Sequence, residues 1–330
     1  MNNREQTIKA FLAENDMGTA TLTPLAGDAS FRSYRRIKAD EATFILMDAP
    51  PGKEDAQPFV ALSNHLVGAG FSAPRVLAQD LEQGLLLLED LGDDTFSRVL
   101  ETETVPKQEL YEAAIDVLAA LHDTAPPKGL PVYGLDLLFE ELFLFPRWYL
   151  PALLGMEDPA WEKELAVICT PLFGGLQADT NVLTLRDYHA DNLMWLPDRG
   201  GIQNVGLLDF QDGVVGHRAY DLVSLLQDAR QPFDPDLESA MIDRYLSKAG
   251  VNIDRAGFMT AYQVLGAQRN AKIIGIFTRL WRRDGKPAYP KMIPHVWGLL
   301  EENLRHPALG DLKTWMEAIV PTDFRTKTLT

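Results

Sequence analysis

Three short apolar runs inside an otherwise helical half of this chain constrain its fold more than any other feature. They lie at residues 182–185, 192–196 and 205–210, and their length and aliphatic content predict strands. The turn sequence PDRGG joins the second run to the third, as expected of a hairpin. On both sides alanine and leucine recur at helical spacing, so we expect a helical region that contains a small group of strands.

The first ninety residues follow another pattern. Apolar and aromatic residues at 22–50 recur in short runs separated by GDAS and ADEA, which predicts consecutive antiparallel strands. A helix is expected at 59–68, and further strands are expected at 72–80 and 84–88. The last of these strands is almost wholly aliphatic, so we expect it to be buried.

These patterns predict an α+β fold with two lobes. The β-rich lobe covers residues 1–90, and the mainly helical lobe covers residues 91–330. A chain of 330 residues is long enough to form two hydrophobic cores. The helices expected in the second lobe lie at 111–122, 133–150, 158–170, 235–249, 255–282 and 290–304.

Charge and composition exclude several classes of protein. The net charge is −16, from 31 Lys and Arg against 47 Asp and Glu, whereas a protein that binds nucleic acid needs a cationic face. The single cysteine, Cys169, cannot form an internal disulfide. The longest aliphatic run is far shorter than the ~20 residues that span a membrane, and the charged N-terminal sequence is unlike a signal peptide. We expect a cytoplasmic monomer that binds small molecules and neither nucleic acid nor membrane.

Three polar residues in the strand-rich segment have the chemistry of a phosphoryl-transfer site. Asn192 begins the second run and Asp209 follows the aliphatic part of the third, so both side chains are expected at strand ends. Their oxygens are the hard ligands that Mg²⁺ prefers, together with water and phosphate. Asp187 lies on the loop before Asn192, where its carboxylate can accept a hydroxyl proton.

This set of motifs resembles the phosphotransferase branch of the protein-kinase-like fold, which includes aminoglycoside phosphotransferases and choline kinases. The usual HGDxHxxN of that branch corresponds to LRDYHADN, in which Leu185 stands where the first histidine is usual. The resemblance implies a bilobal protein-kinase-like fold and ATP as the phosphate donor, with Mg²⁺ as its metal. It also implies that Asp187 is the catalytic base and that Asn192 and Asp209 are metal ligands.

The same resemblance assigns the nucleotide site to two segments of the first lobe. GDASFRSYRR corresponds to the loop that covers the nucleotide, and LLLLEDLGD to the strand and hinge that meet the base. The strand TFILMDAP lacks the lysine that pairs with the phosphates in protein kinases, so Arg32, Arg35 or Lys38 is expected to replace it. We expect nucleotide contacts from Gly27, Ser30, Phe31, Arg32, Arg35, Glu89 and Leu91.

A narrower resemblance, to the bacterial N-acetylmuramate/N-acetylglucosamine kinases, extends over nearly the whole chain. It rests on GDASFRSYRR, FILMDAPP, LLLEDLGDDT, LRDYHADNLMW, LLDFQDGVVGHRAYDLVSLLQDAR and FTRLWRRDGKPAYPKMIPHVW. This resemblance implies an ATP-dependent kinase that phosphorylates the anomeric hydroxyl of these amino sugars during peptidoglycan recycling.

Substrate contacts are expected from His189, Trp148 and Arg279. Trp148 belongs with Phe145 and Tyr149 to an aromatic cluster that could stack on a sugar ring or form core. Arg279 belongs to a basic stretch that could hold the lactyl carboxylate or be solvated, and the other cations of this stretch are Arg282, Arg283 and Lys286. Two other functions stay open because a shared fold does not fix the substrate. One is O-phosphotransfer to an aminoglycoside or another small molecule. The other is a nucleotide-binding pseudokinase regulator, which the missing lysine would permit.

Overall fold

The computed structural model describes residues 3–25, 31–39, 41–232 and 234–329, and it has the mixed α+β fold that the sequence predicts. Its strands are β1 Thr21–Pro24, β2 Ser33–Ala39, β3 Ala42–Asp48, β4 Val76–Asp80, β5 Leu85–Glu89, β6 Thr180–Thr184, β7 Leu193–Trp195, β8 Val205–Leu207 and β9 Val214–His217. Its α-helices are α1 Asn3–Glu14, α2 Gln57–Gly68, α3 Phe96–Thr102, α4 Lys107–His122, α5 Leu135–Leu142, α6 Leu150–Leu154, α7 Ala160–Gly174, α8 Ala219–Leu226, α9 Pro235–Lys248, α10 Arg255–Arg282, α11 Ile293–Asn303, α12 Gly310–Ile319 and α13 Thr322–Arg325.

The chain forms two compact units. Unit 1 consists of residues 1–117 and 191–212, and unit 2 consists of residues 118–190 and 213–330. Each unit is therefore built from two separate stretches of chain. The predicted lobes are two continuous stretches that meet near residue 90, so they do not correspond one to one with these units. The lobe boundary near residue 90 therefore stays a prediction.

Unit 1 contains a five-stranded antiparallel sheet in the order β1-β2-β3-β5-β4. Strand alternation gives this sheet two distinct faces. Ile37, Leu46 and Leu87 lie on one face, where they form a buried cluster with Ile8 and Phe11 of α1. The apolar side of α1 thus covers one face of the sheet, and burial of these side chains stabilises their contact by ~25 cal/mol per Å² of apolar surface removed from water.

Burial on both faces explains why β5 begins with four leucines. Leu87 lies in the cluster under α1, whereas Leu88 pairs with Ile45 of β3 and lines a cavity. The four leucines at 85–88 are all 3% exposed or less. The predicted burial of this strand is confirmed.

The predicted strand-rich segment is divided between the two units. β7 and β8 form the predicted antiparallel hairpin in unit 1, with Leu193 opposite Leu207. β6 lies in unit 2 and pairs with β9, a strand that the sequence pattern did not indicate. All three predicted strands are present, and the structure places them in two separate ladders, because β6 pairs with the later valines Val214 and Val215 and β7 pairs with β8.

Helix α10 is the longest helix of unit 2, with 28 residues, and much of its length is buried. Its neighbours include the segment Phe145–Tyr149 and α11, and the indole of Trp297 donates a hydrogen bond of 2.9 Å to the Tyr149 hydroxyl. Gly275 allows α10 to pack closely against the backbone at Leu144, because a Cβ at this position would lie 2.3 Å from the carbonyl carbon of Leu144. Phe145 and Tyr149 are fully buried, so these two members of the aromatic cluster form core. Among the described residues, no helix combines the length and the apolar character needed to cross a membrane.

Candidate active site

A cavity in unit 1 brings together several of the predicted nucleotide and metal residues. Its volume is about 260 Å³. One side is formed by the sheet face opposite α1, with Ile45 and Leu88, and another by the segment after β5. The predicted site residues in its lining are Glu89, Leu91, Asn192 and Asp209.

The hairpin of β7 and β8 places Asn192 and Asp209 beside each other. Asn192 immediately precedes β7, and the amide of Leu208, just after β8, donates a hydrogen bond of 2.9 Å to the Asn192 carbonyl oxygen. The hairpin is also tied to the rest of unit 1, since the amide of Leu207 donates to the carbonyl oxygen of Ser72 at 2.7 Å. These backbone bonds fix the end of the hairpin at which both side chains emerge.

Asp209 has a special backbone conformation and a cationic neighbour. Its φ of 53° lies in the left-handed region, which aspartate tolerates better than most residues. The side-chain amide of Gln211 donates a hydrogen bond of 2.7 Å to the Asp209 carboxylate. The guanidinium of Arg32 lies 3.6 Å from the same carboxylate, and the Arg32 side chain is only 9% exposed. A buried arginine therefore stands beside the predicted metal ligand.

The other cations of β2 divide between the two faces of the sheet. Arg35 lies on the α1 face and is paired with Glu5 of that helix at 2.6 Å, so the structure does not bring it into the cavity. Arg36 lines the cavity and is paired with Asp90 and Asp93, each at 2.7 Å. Arg36 is not among the three cations predicted to replace the lysine, although strand alternation places it on the face opposite Arg35.

The strand position at which protein kinases carry a lysine is occupied differently here. Met47 is buried, and Asp48 accepts a hydrogen bond of 3.0 Å from the Arg4 guanidinium of α1. Lys38 is exposed at the far end of β2. Of the three cations expected to replace that lysine, Arg32 is the one that contacts a predicted metal ligand.

The remaining predicted nucleotide residues have mixed surroundings. Gly27 and Ser30 lie outside the described residues. Phe31 is 65% exposed, and its amide donates to the Glu54 carboxylate at 3.1 Å. Glu89 accepts a hydrogen bond of 2.7 Å from Arg199 while lining the cavity. Their contacts with a nucleotide stay predictions.

In unit 2, the loop that carries Asp187 is held by a buried aspartate. Asp221 of α8 accepts hydrogen bonds from the amides of Leu185 at 2.6 Å and Arg186 at 2.9 Å. Burial raises the pKa of Asp221 to about 7, and these two amide donors act in the opposite direction. Arg186 has a φ of 71°, which is a strained conformation for a residue with a long side chain. The bonds to Asp221 therefore stabilise an unusual backbone directly before Asp187.

A buried ion cluster surrounds the side chain of Arg186. The carboxylate of Glu141 in α5 accepts hydrogen bonds from the Arg186 guanidinium and the Tyr133 hydroxyl. It also forms an ion pair of 2.8 Å with Lys272 of α10. Burial by itself raises the pKa of Glu141, but the charges of Lys272 and Arg186 outweigh it and lower this pKa to about 2. Glu141 is therefore ionised at neutral pH and neutralises part of the positive charge near Asp187.

A second cavity, in unit 2, contains Asp187. Its volume is about 130 Å³, and His189 also lines it. Burial lowers the pKa of His189, while the charges of Asp228 and Asp187 raise it and those of Arg230 and Arg269 lower it. The net direction is downward, so the imidazole is neutral at pH 7. The cationic side chains that line the cavity are those of Arg230, Arg269 and Lys272.

The other predicted substrate residues lie outside the lining of this cavity. Trp148 is partly exposed in the segment before α6, and Arg279 is partly exposed near the end of α10. Their roles stay predictions. Sequence reasoning missed Arg269 and Lys272, although polar residues within a long buried helix are a signal that a core alone does not explain.

Comparisons with known proteins agree with this description. The model of the phosphotransferase enzyme family matches residues 21–258. A protein of Caulobacter vibrioides named N-acetylmuramate/N-acetylglucosamine kinase is 40% identical, with 98% of each chain covered. A protein of the same name from Pseudomonas aeruginosa is 38% identical over 92% of this chain and 90% of its own.

Solved structures of low sequence identity share the fold. A choline/ethanolamine kinase family protein from Mesorhizobium loti has a TM-score of 0.61 at 15% identity, with 93% of this chain and 97% of that chain covered. A spectinomycin phosphotransferase in complex with ADP and spectinomycin has a TM-score of 0.58 at 12% identity, with 96% and 98% covered. The protein-kinase-like fold expected from the sequence is thereby confirmed. The chain belongs to the phosphotransferase enzyme family, and the relatives that it matches over most of its length are named N-acetylmuramate/N-acetylglucosamine kinases.

Proposed function

We propose that this enzyme transfers the γ-phosphoryl group of ATP to the C1 hydroxyl of N-acetylmuramate and N-acetylglucosamine, as a step of peptidoglycan recycling. The names of the relatives matched at 34–40% identity support these two sugars. The observation that carries the proposal is Asp187, a carboxylate that lines a cavity beside a neutral histidine and three cationic side chains. Such a cavity suits a polar acceptor whose hydroxyl must lose a proton.

In this proposal the cavity of unit 1 holds the nucleotide. Ile45 and Leu88 offer apolar surface to the base, and the chain at Glu89 and Leu91 offers backbone groups to its edge. Arg32 takes the place of the missing lysine, because it is the predicted cation that stands beside Asp209. The structural neighbour solved with ADP supports a nucleotide site in this fold.

The donor groups of Asn192 and Asp209 fit Mg²⁺. Mg²⁺ in phosphoryl-transfer sites is held by one or two protein oxygens together with substrate phosphates and water. When bound, the ion would neutralise charge on the phosphates.

Asp187 acts as the general base of the reaction. The C1 oxygen attacks the γ-phosphorus, the bond to the departing ADP oxygen breaks, and the hydroxyl proton passes to the Asp187 carboxylate. Asp221 keeps this carboxylate in position through its bonds to Leu185 and Arg186. His189, neutral in its buried place, can accept or donate one hydrogen bond to the sugar.

Phosphorus NMR of the reaction product tests the proposal. The enzyme is incubated with Mg-ATP and, in parallel, N-acetylmuramate, N-acetylglucosamine or kanamycin. We expect a sugar 1-phosphate, coupled to the anomeric proton, from each amino sugar. Asp187→Asn should lower turnover by about 100-fold or more while nucleotide affinity is retained. Asp198→Asn, a control in the exposed turn after β7, should keep full activity.

Other products would select the alternatives. Phosphorylated kanamycin alone would assign the enzyme to antibiotic modification. Nucleotide binding without a product from any acceptor would favour a pseudokinase regulator. We also propose that the protein works as a monomer in the cytoplasm, where ATP is available, and light scattering of the purified chain tests the monomeric state.

A further inference from the structure

The unit 2 cavity carries more positive charge than a neutral sugar hydroxyl requires. Three cationic side chains line it, against the single carboxylate of Asp187. Lys272 is neutralised by Glu141 at 2.8 Å, and Arg230 lies 4.0 Å from Asp228. The third cation, Arg269, is buried.

Arg269 is buried with part of its hydrogen-bonding capacity unused. Its side chain lies on α10 and the residue is only 5% exposed. Nη2 donates a hydrogen bond of 2.9 Å to the Ser224 hydroxyl, whereas Nη1 has no hydrogen-bond partner among the described residues. A buried guanidinium N–H without an acceptor costs free energy, so such a group is normally matched by a ligand or water.

The cavity around Arg269 has a mixed character that fits an acidic substituent of a substrate. Besides the charged side chains, its wall includes the apolar side chains of Ile273, Ile276 and Phe277. A planar guanidinium is well suited to a carboxylate, because it can offer two parallel N–H groups. The apolar wall can pack against the methyl group of the same substituent.

We propose that Arg269, assisted by Arg230, binds the lactyl carboxylate of N-acetylmuramate, so that this cavity is a carboxylate subsite for the acidic acceptor. The inference rests on the proposed function, and it assigns the carboxylate to Arg269 rather than to the basic stretch around Arg279. N-acetylglucosamine lacks the lactyl group and leaves this subsite to water.

The transferred phosphoryl group is a second oxyanion that Arg269 could bind. Both sugars receive the same phosphoryl group, but only N-acetylmuramate has a carboxylate. The ratio of kcat/KM for the two sugars therefore separates the two sources. A carboxylate contact affects N-acetylmuramate alone, whereas a phosphoryl contact affects both sugars equally.

The test measures kcat/KM for both sugars in four single variants. Arg269→Gln and Arg230→Gln should each lower kcat/KM for N-acetylmuramate by about 10- to 100-fold, the range of a charge-assisted hydrogen bond. For N-acetylglucosamine the change should stay within about threefold. Arg255→Gln, an exposed position at the start of the same helix, is the matched control and should leave both values unchanged. Arg279→Gln tests the alternative basic stretch.

Each result has a definite meaning. Equal losses for both sugars in the Arg269 and Arg230 variants, or a selective loss only in Arg279→Gln, would overturn the carboxylate subsite while the kinase function stands. A wild-type enzyme that phosphorylates neither sugar would refute the proposed function itself. If circular dichroism shows that Arg269→Gln does not fold, the selective loss in Arg230→Gln decides, because Arg230 is 37% exposed and its replacement leaves no buried gap.

Discussion

Replacing Glu141 by Gln tests the buried ion cluster that supports the Asp187 loop. The change keeps the shape of the side chain but removes its charge. It leaves Lys272, whose side chain is 12% exposed, and Arg186 without their shared carboxylate. Because the side chains of Lys272 and Arg186 are only 12% and 20% exposed, water replaces the lost partner only in part, and the folded state should be destabilised.

Two arguments give the magnitude. The difference between the ordinary pKa of 4.5 and the value of about 2 corresponds to about 3 kcal/mol of stability at pH 7, at about 1.36 kcal/mol per pH unit. Removing one partner of a buried ion pair costs about 3–5 kcal/mol. We therefore expect Glu141→Gln to lower the free energy of unfolding by about 3–5 kcal/mol, a large part of the 5–15 kcal/mol typical of a folded protein.

Urea denaturation, followed by circular dichroism at pH 7, measures this loss. The control is Glu162→Gln, since Glu162 forms an exposed pair with Arg147 at 2.7 Å that should contribute less than about 1 kcal/mol. A loss below about 1 kcal/mol for Glu141→Gln as well would refute the argument from buried charge.

The pH dependence gives a second measurement on the same variant. The folded-state pKa of Glu141 is lowered, so its contribution is present above the ordinary value of 4.5 and is lost as the pH falls toward about 2. The wild-type protein should lose this contribution in that window, and Glu141→Gln should lack it. Parallel stability curves for the two proteins would contradict the assignment.

Three further changes test other parts of the structure. Asp221→Ala removes the acceptor of two buried amides, so we expect a loss of about 2–6 kcal/mol in urea denaturation and a lower kcat; unchanged turnover would refute its positioning role. Gly275→Ala forces a Cβ into neighbouring backbone and should lower the melting temperature, whereas Gly298→Ala in α11 meets no atom within 4 Å and should not. Arg32→Gln should raise the KM for ATP by about tenfold or more, and Lys38→Gln should leave it unchanged; equal effects would contradict the choice of Arg32.

The sequence alone determined the fold class and the location of the central motif. Asn192, the last residue of LRDYHADN, directly precedes β7, and Asp209 follows β8 of the same hairpin, whose strands are close in the chain. Short-range turn chemistry and strand alternation fix such an arrangement, so Asn192 and Asp209 could be expected at the same end. Alternation also predicts that Arg35 and Arg36 lie on opposite faces of the sheet, but it does not say which face α1 covers.

Only the tertiary structure decided which distant side chains hold the loop of Asp187 and which of them line its cavity. Asp221 holds an amide 36 residues earlier in the chain, and Glu141 meets Arg186 across 45 residues. The structure shows buried polar residues in α10, and helical periodicity by itself does not identify their partners. Those partners are set by how α5, α8 and α10 pack, and packing depends on side-chain volumes summed over many residues rather than on any local motif. For that reason the sequence predicts a role for the basic stretch near Arg279, where several cations lie close together in the chain. The place of Arg269 in a cavity is visible only in the tertiary structure.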